Sequence, residues 1–148
     1  MNIIELLVRE EGFKSKAYFC SEGYPTIGIG WKIGRHNQSL NDFEEMVISR
    51  SAAEAQLQNE VFAIELSLSA HKWYADLCEA RQAVITSMAY QMGISGLMKF
   101  KRMIAAIETK CWNDASAEGL NSRWARQTPE RAKRQMKTLL LGGWSEYQ

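Results

Sequence analysis

Glu11, Cys20 and Thr26 stand near the start of the chain, separated by eight and five residues. The last of them lies in a glycine-punctuated run, Glu22-Gly23-Tyr24-Pro25-Thr26-Ile27-Gly28-Ile29-Gly30. A carboxylic acid can protonate a leaving oxygen, and a hydroxyl can hold a water. A thiol can serve as base or nucleophile only as thiolate, and a free thiol near pKa 8.5 is roughly a few per cent ionised at pH 7. Glycoside hydrolysis needs a proton donor of this kind, together with a second group that activates water or attacks the sugar. For Glu11 to donate near neutral pH its pKa has to rise, usually through partial burial. Each residue also has an ordinary explanation. A glutamate at a helix end is commonly a solvated charge, threonine suits strands because it is β-branched, and Cys20 reads equally as a free thiol at a half-buried strand position.

The surrounding elements decide whether these groups can meet. Asn2 and Glu5 have the spacing of a capping box. Ile3, Leu6, Leu7 and Val8 form an apolar face at helical period, and Gly12 suits a left-handed helix end. Glu11 therefore falls on the last turn of a short helix. Residues 14–35 turn strand-like, with Ser21-Glu22-Gly23 as a turn signal, which predicts a hairpin or three-stranded antiparallel sheet. If Cys20 and Glu22 share a strand they share a face, and Glu22 then lends negative charge to the thiol. Beyond about residue 40 the chain reads as helical. Ser49 or Ser51 can cap a long helix through Leu57, Val61, Ile64, Leu66 and Leu68, and Glu54 three residues after Ser51 favours the latter. Residues 79–90 are apolar on most faces, predicting a buried helix ended by Gly93. Further helices are predicted over 97–109 and 112–119. A last one starts with Thr128 as N-cap and Pro129 at the first position, and closes at Gly142-Gly143.

The whole chain has 148 residues, enough for one domain with a core. A net charge of +1 argues against a dedicated nucleic-acid binder. Positive charge nevertheless collects over 122–137, where Arg123, Arg126, Arg131, Lys133, Arg134 and Lys137 face Glu130 alone. A solvated helix face is the ordinary reading, and attraction to an anionic polymer is the sharper one. The three cysteines, Cys20, Cys78 and Cys111, have neither metal-type nor disulfide-type spacing, so no cofactor or metal is expected. The opening residues lack a basic region before an apolar run, and no stretch suffices to cross a bilayer. A substrate beyond the membrane then requires another protein to release this one.

The motif block Glu10-Glu11-Gly12-Phe13, Tyr18 and Glu22 to Gly30 resembles the phage-type lysozymes, the muramidases of T-even phages and their relatives. That family carries Glu, eight residues, Asp, five residues, Thr; here Cys20 stands in the aspartate's place. Two further blocks extend the likeness: Ser87-Met88-Ala89-Tyr90-Gln91-Met92-Gly93, and Ser122-Arg123-Trp124 with Gln127 to Arg134. The resemblance implies an α+β, mostly helical fold, with a small sheet-containing N-terminal lobe and a larger helical C-terminal lobe joined by a long helix. It implies one domain over 1–148, with lobes near 12–50 and 70–148, the first helix packing on the second lobe and a sugar-binding cleft between the lobes. Glu11 would be the acid, Thr26 would hold the attacking water, and Cys20 would replace the carboxylate, stand by, or mark a weakened enzyme. Tyr90 and Gln91 would line the cleft, and Arg131 would reach the catalytic glutamate. Arg131 falls in the first turn of its helix, where the macrodipole disfavours a cation, which itself hints at a partner elsewhere. The chain departs from the family at Lys32, where an apolar residue lines the cleft, at Trp31 in place of a histidine, and at Glu118 in place of an asparagine.

The activity so implied is hydrolysis of the β-1,4 bond between N-acetylmuramic acid and N-acetylglucosamine in peptidoglycan. The protein would be a monomeric endolysin made in the host bacterial cytoplasm, acting in the periplasm and wall after a separate pore-forming protein lets it through. Two alternatives stay open. A lytic transglycosylase can work with one glutamate and the sugar's own hydroxyl as nucleophile. A wall-binding or phage structural module can keep such a fold with little activity. A nucleic-acid module ranks below both.

Overall fold

The computed structural model describes all 148 residues. It is α+β and mostly helical, with eight helices and one small antiparallel sheet, as the sequence predicts. No helix is long and apolar enough to cross a membrane.

Helix α1 spans Ile3–Glu11. Its start is a reciprocal capping box: the Asn2 amide donates to Glu5 Oε2 and the Glu5 amide to Asn2 Oδ1, both at 3.0 Å. Gly12 follows at φ +67°, the left-handed conformation that ends the helix at low cost. Strands β1 (Lys14–Phe19), β2 (Pro25–Gly28) and β3 (Trp31–Lys32) then form an antiparallel sheet in chain order. Helices α2 (Arg50–Leu68), α3 (Lys72–Ala75), α4 (Glu79–Met98), α5 (Lys101–Glu108), α6 (Trp112–Leu120), α7 (Arg123–Gln127) and α8 (Pro129–Leu141) complete the chain.

The fold divides into two compact units, one of residues 7–60 and one of 1–6 with 61–148. The boundaries fall inside α1 and inside α2. The first unit holds the sheet. Its buried apolar residues include Leu7, Ile27, Ile29, Ala53 and Leu57. Gly28 lets the sheet approach α2, since a Cβ there would lie 3.2 Å from that of Ala53. The second unit has a larger apolar core, including Val84, Ile85, Met88, Leu97, Met103, Ile107, Trp124, Met136 and Leu139. Arg81 closes the C-terminal end of α8 there. Its guanidinium donates to the carbonyls of Leu139 and Leu140 at 2.8 and 3.1 Å, and stacks 3.6 Å from the Trp112 ring centroid.

Several local expectations are corrected. Ser49, not Ser51, caps α2: its Oγ accepts from the Ala52 amide at 3.2 Å. Glu54 instead takes Arg50 Nε at 3.0 Å, four residues back on the same helix. Leu66 is 66% exposed, because Leu57, Val61, Ile64 and Leu68 already form the inward stripe. Gly93 breaks α4 at φ 80°, ψ 159°, but one more turn follows, so Leu97 belongs to α4 and the next helix starts only at Lys101. Thr128 occupies the N-cap of α8 without capping it; its hydroxyl donates to the Trp124 carbonyl, finishing α7, which the sequence reading lacked.

Candidate active site

In the sheet unit, a turn from Cys20 to Gly23 closes the β1–β2 hairpin. The Gly23 amide donates to the Cys20 carbonyl at 2.9 Å, and the Cys20 amide to the Tyr24 carbonyl at 3.0 Å. Gly23 takes φ +81°, a left-handed conformation that glycine adopts without steric cost. Register then assigns faces. Tyr18 lies opposite Thr26, and Thr26 opposite Lys32. Residues directly opposite share a face, and so do alternate residues along a strand. Tyr18, Thr26 and Lys32 therefore belong to one face, and Pro25, Ile27 and Trp31 to the other. Pairing alone brings one candidate catalytic group and one candidate binding residue together, and Cys20 follows at the start of the turn, two residues past Tyr18.

Glu11 reaches the same unit from the end of α1. Its carboxylate lies directly over Gly30: a Cβ built there would be 2.7 Å from Glu11 Oε2 and 2.9 Å from Cδ. Gly30 also holds φ +69°. Glycine is required on both counts, and the bare backbone makes room for the acid. Glu11 is half-buried. Tyr18 links it to the sheet face. Burial pushes the Tyr18 phenol up from 10.0, and the charges of Glu11 and Cys20 raise it further, so both acidic groups act on that hydroxyl.

Thr26 is 2% exposed, and its Oγ1 donates to the Tyr24 carbonyl at 2.8 Å. With its hydrogen engaged, the hydroxyl can meet a water only as acceptor. Cys20 is a free, half-buried thiol. Glu22 does not serve it, because the turn ends the strand at Phe19 and sends that carboxylate to Lys32 Nζ at 3.5 Å. Lys32 also lies 4.7 Å from the Tyr24 ring centroid. Both side chains of the ion pair are about 40% exposed, at 42% and 40%. Such a pair contributes about 0–1 kcal/mol, and an exposed cation–π contact about 0.5–1 kcal/mol.

The other candidates lie in the helical unit. Tyr90 and Gln91 sit near the end of the long segment of α4, before the Gly93 break. Gln91 Oε1 accepts from the Trp124 indole at 2.7 Å, which fixes the amide and leaves its nitrogen as the group able to donate elsewhere. Arg131 is 8% exposed, so it does not belong to a solvated basic face. Its guanidinium donates to Ser87 Oγ at 3.0 Å, and the Gln135 amide donates to the same oxygen at 2.8 Å. Of its neighbours, Lys133 and Lys137 are exposed and pair with Glu130 and Glu146. The sequence reading missed Ser87 and Gln135 as supports for Arg131. Their signal, polar residues spaced among apolar ones on α4 and α8, is legible only once the two helices are known to face each other.

A family profile described as phage lysozyme matches residues 8–140. Two relatives from Dictyostelium discoideum align along nearly their whole length. Probable T4-type lysozyme 1 is 30% identical over 99% of this chain and 98% of its own, and probable T4-type lysozyme 2 is 32% identical over 97% and 96%. The pre-baseplate central spike protein Gp5 of Enterobacteria phage T4 is 30% identical over 99% of this chain, which spans only 29% of that protein.

Proposed function

Because the chain belongs to the phage lysozyme family, we propose that this lysozyme-like protein is a bacteriolytic endolysin that hydrolyses the β-1,4 bond between N-acetylmuramic acid and N-acetylglucosamine in peptidoglycan. Peptidoglycan is the substrate the family implies. Glu11 protonates the bridging oxygen. A water held by Thr26 attacks the anomeric carbon from the opposite side, and the Cys20 thiol, as thiolate, assists it. Thr26 suits the part because its own hydrogen is engaged: a water donating to Oγ1 turns a lone pair of its own outward, toward carbon. Lys32 in the sheet unit, and Tyr90, Gln91 and Arg131 in the helical unit, are each assigned to glycan binding. The observation that carries this reading is the half-buried Glu11 carboxylate set against the bare backbone of Gly30.

Two other outcomes have specific support. Loss of the family's aspartate to Cys20 favours a lytic transglycosylase, in which the sugar's own hydroxyl replaces water. Similarity to a segment of a central spike protein favours a wall-binding or structural module. One experiment separates all three. Native protein is added to bacterial wall suspensions, clearing is followed by turbidity, and the released fragments are weighed by mass spectrometry. Hydrolysis gives reducing muramyl ends, and Glu11→Gln slows clearing by about 10²–10⁴-fold, the usual range for removing a general acid. Anhydro ends support the transglycosylase, and binding without clearing supports the module. The same proposal has a monomer made in the host cytoplasm and acting in the periplasm and wall, so expression lyses cells only alongside a pore-forming protein.

A further inference from the structure

The geometry points to Lys32 as the residue that selects carboxylate-bearing glycan, its ammonium taking a carboxylate of the substrate's muramyl unit in exchange for Glu22. This rests on the reading above that the sheet face receives the glycan.

Three observations converge. First, register pairs Lys32 directly with Thr26 and sets it on the face that Thr26 shares with Tyr18. A cation there meets the sugar next to the bond under attack. Second, the ammonium is already arranged as an anion receptor. It lies 4.7 Å from the Tyr24 ring centroid, and the Tyr24 ring is itself braced edge-on by His36 at 5.3 Å. An aromatic platform steers the charged end of a flexible side chain and leaves its N–H groups able to donate outward. Third, the existing counter-ion is weakly held. Glu22 Oε2 stands at 3.5 Å, and both side chains are substantially exposed. A charge-assisted hydrogen bond normally closes to about 2.7–2.9 Å, so an incoming carboxylate can form the shorter contact while Glu22 returns to water.

Muramyl units supply that chemistry from two sources. Where the lactyl group is free it ends in a carboxylate beside the sugar ring. Where it carries a stem peptide, the lactyl carboxyl is an amide and the carboxylates belong to the peptide. Oligomers of N-acetylglucosamine carry neither.

The test is a binding titration on Glu11→Gln protein, with and without a second change at Lys32 or Glu22. Three soluble tetrasaccharides are used: chitotetraose, the alternating N-acetylglucosamine–N-acetylmuramic acid tetrasaccharide with free lactyl groups, and the same glycan bearing stem peptides. Lys32→Met is expected to weaken binding of a charged glycan by about fivefold to tenfold, within the range of a single exposed charge-assisted contact. Chitotetraose, which carries no carboxylate, is expected to lose distinctly less affinity than the charged glycan, and the ratio of the two losses is the readout. The charged glycan that responds identifies the source. Glu22→Gln is expected to tighten binding of that glycan about twofold to threefold, because it removes the competing carboxylate, and high salt erases both effects. A merely structural Lys32–Glu22 pair would make the two changes act in the same direction. Equal weakening of all three glycans by Lys32→Met overturns the inference, and so does no weakening of any. If native protein clears walls while either result is found, this inference alone falls. If native protein neither binds nor clears walls, the functional reading falls with it.

Discussion

Cys20 is the residue on which the chemistry turns. It begins the hairpin turn, and Glu22, the acid closest to it in sequence, pairs loosely with Lys32 at 3.5 Å. A thiol that assists water does so as thiolate, and a carboxylate at the same position can do the same work. Cys20→Asp is therefore expected to clear walls at least as fast as the native protein, whereas Cys20→Ala should fall well below Asp. Equal clearing rates for Asp, Ser and Ala would make the thiol a bystander. Gly30 is the second residue of consequence. A methyl group there would meet the Glu11 carboxylate at 2.7 Å and would hold an L-residue at φ +69°. Gly30→Ala should cost about 1–2 kcal/mol from backbone strain alone and, by displacing the acid, slow wall clearing by more than about tenfold. Denaturant melting and a turbidity assay read the two effects separately.

At the level of the element, the caps show how near-equal local signals are resolved. Ser49 and Ser51 both precede the apolar stripe of α2, and only Ser49 accepts from a helix amide. Ser49→Ala should therefore destabilise the protein by about 1 kcal/mol, while Ser51→Ala stays within about 0.5 kcal/mol, as ordinary surface changes do. Urea unfolding of the two variants checks the assignment; the reverse order would return the cap to Ser51. The hairpin makes the same point for function. Its turn begins at Cys20, which takes Glu22 off the strand, aims it at Lys32 and leaves the thiol without a carboxylate neighbour from its own hairpin.

For the molecule as a whole, the phenols set an alkaline limit. Burial pushes Tyr74 up from 10.0, with Glu65 adding to it and the hydrogen bond with Thr86 partly offsetting it; burial also leads the rise at Tyr18. A raised phenol binds its proton more tightly folded than unfolded. Its stabilising contribution is therefore fully present below about pH 10, the unfolded value, and is lost as pH rises through the folded value. Thermal unfolding scanned upward from pH 9 should show the melting temperature beginning to drop near pH 10. Tyr74→Phe should flatten part of that drop, and an identical slope in the variant would remove Tyr74 as a cause.

The amino-acid sequence by itself determined the long helices and the sheet, though not the short helices α3 and α7, because capping pairs, apolar periods and turn glycines act over a few residues. Asn2 with Glu5, Gly12, the hairpin turn and the break at Gly93 are all of this kind. It also carried the Glu11, Cys20 and Thr26 spacing and the family likeness. Only the tertiary structure decided that Arg131 is buried on Ser87 and Gln135 instead of solvated, and that Lys32 faces Tyr24 and Glu22 on the Thr26 side of the sheet. Those outcomes depend on strand register and on which helix faces another. The Ser87 contacts join residues 44 and 48 positions apart, and the Lys32 contacts reach across turns of the sheet, where local pattern carries no information.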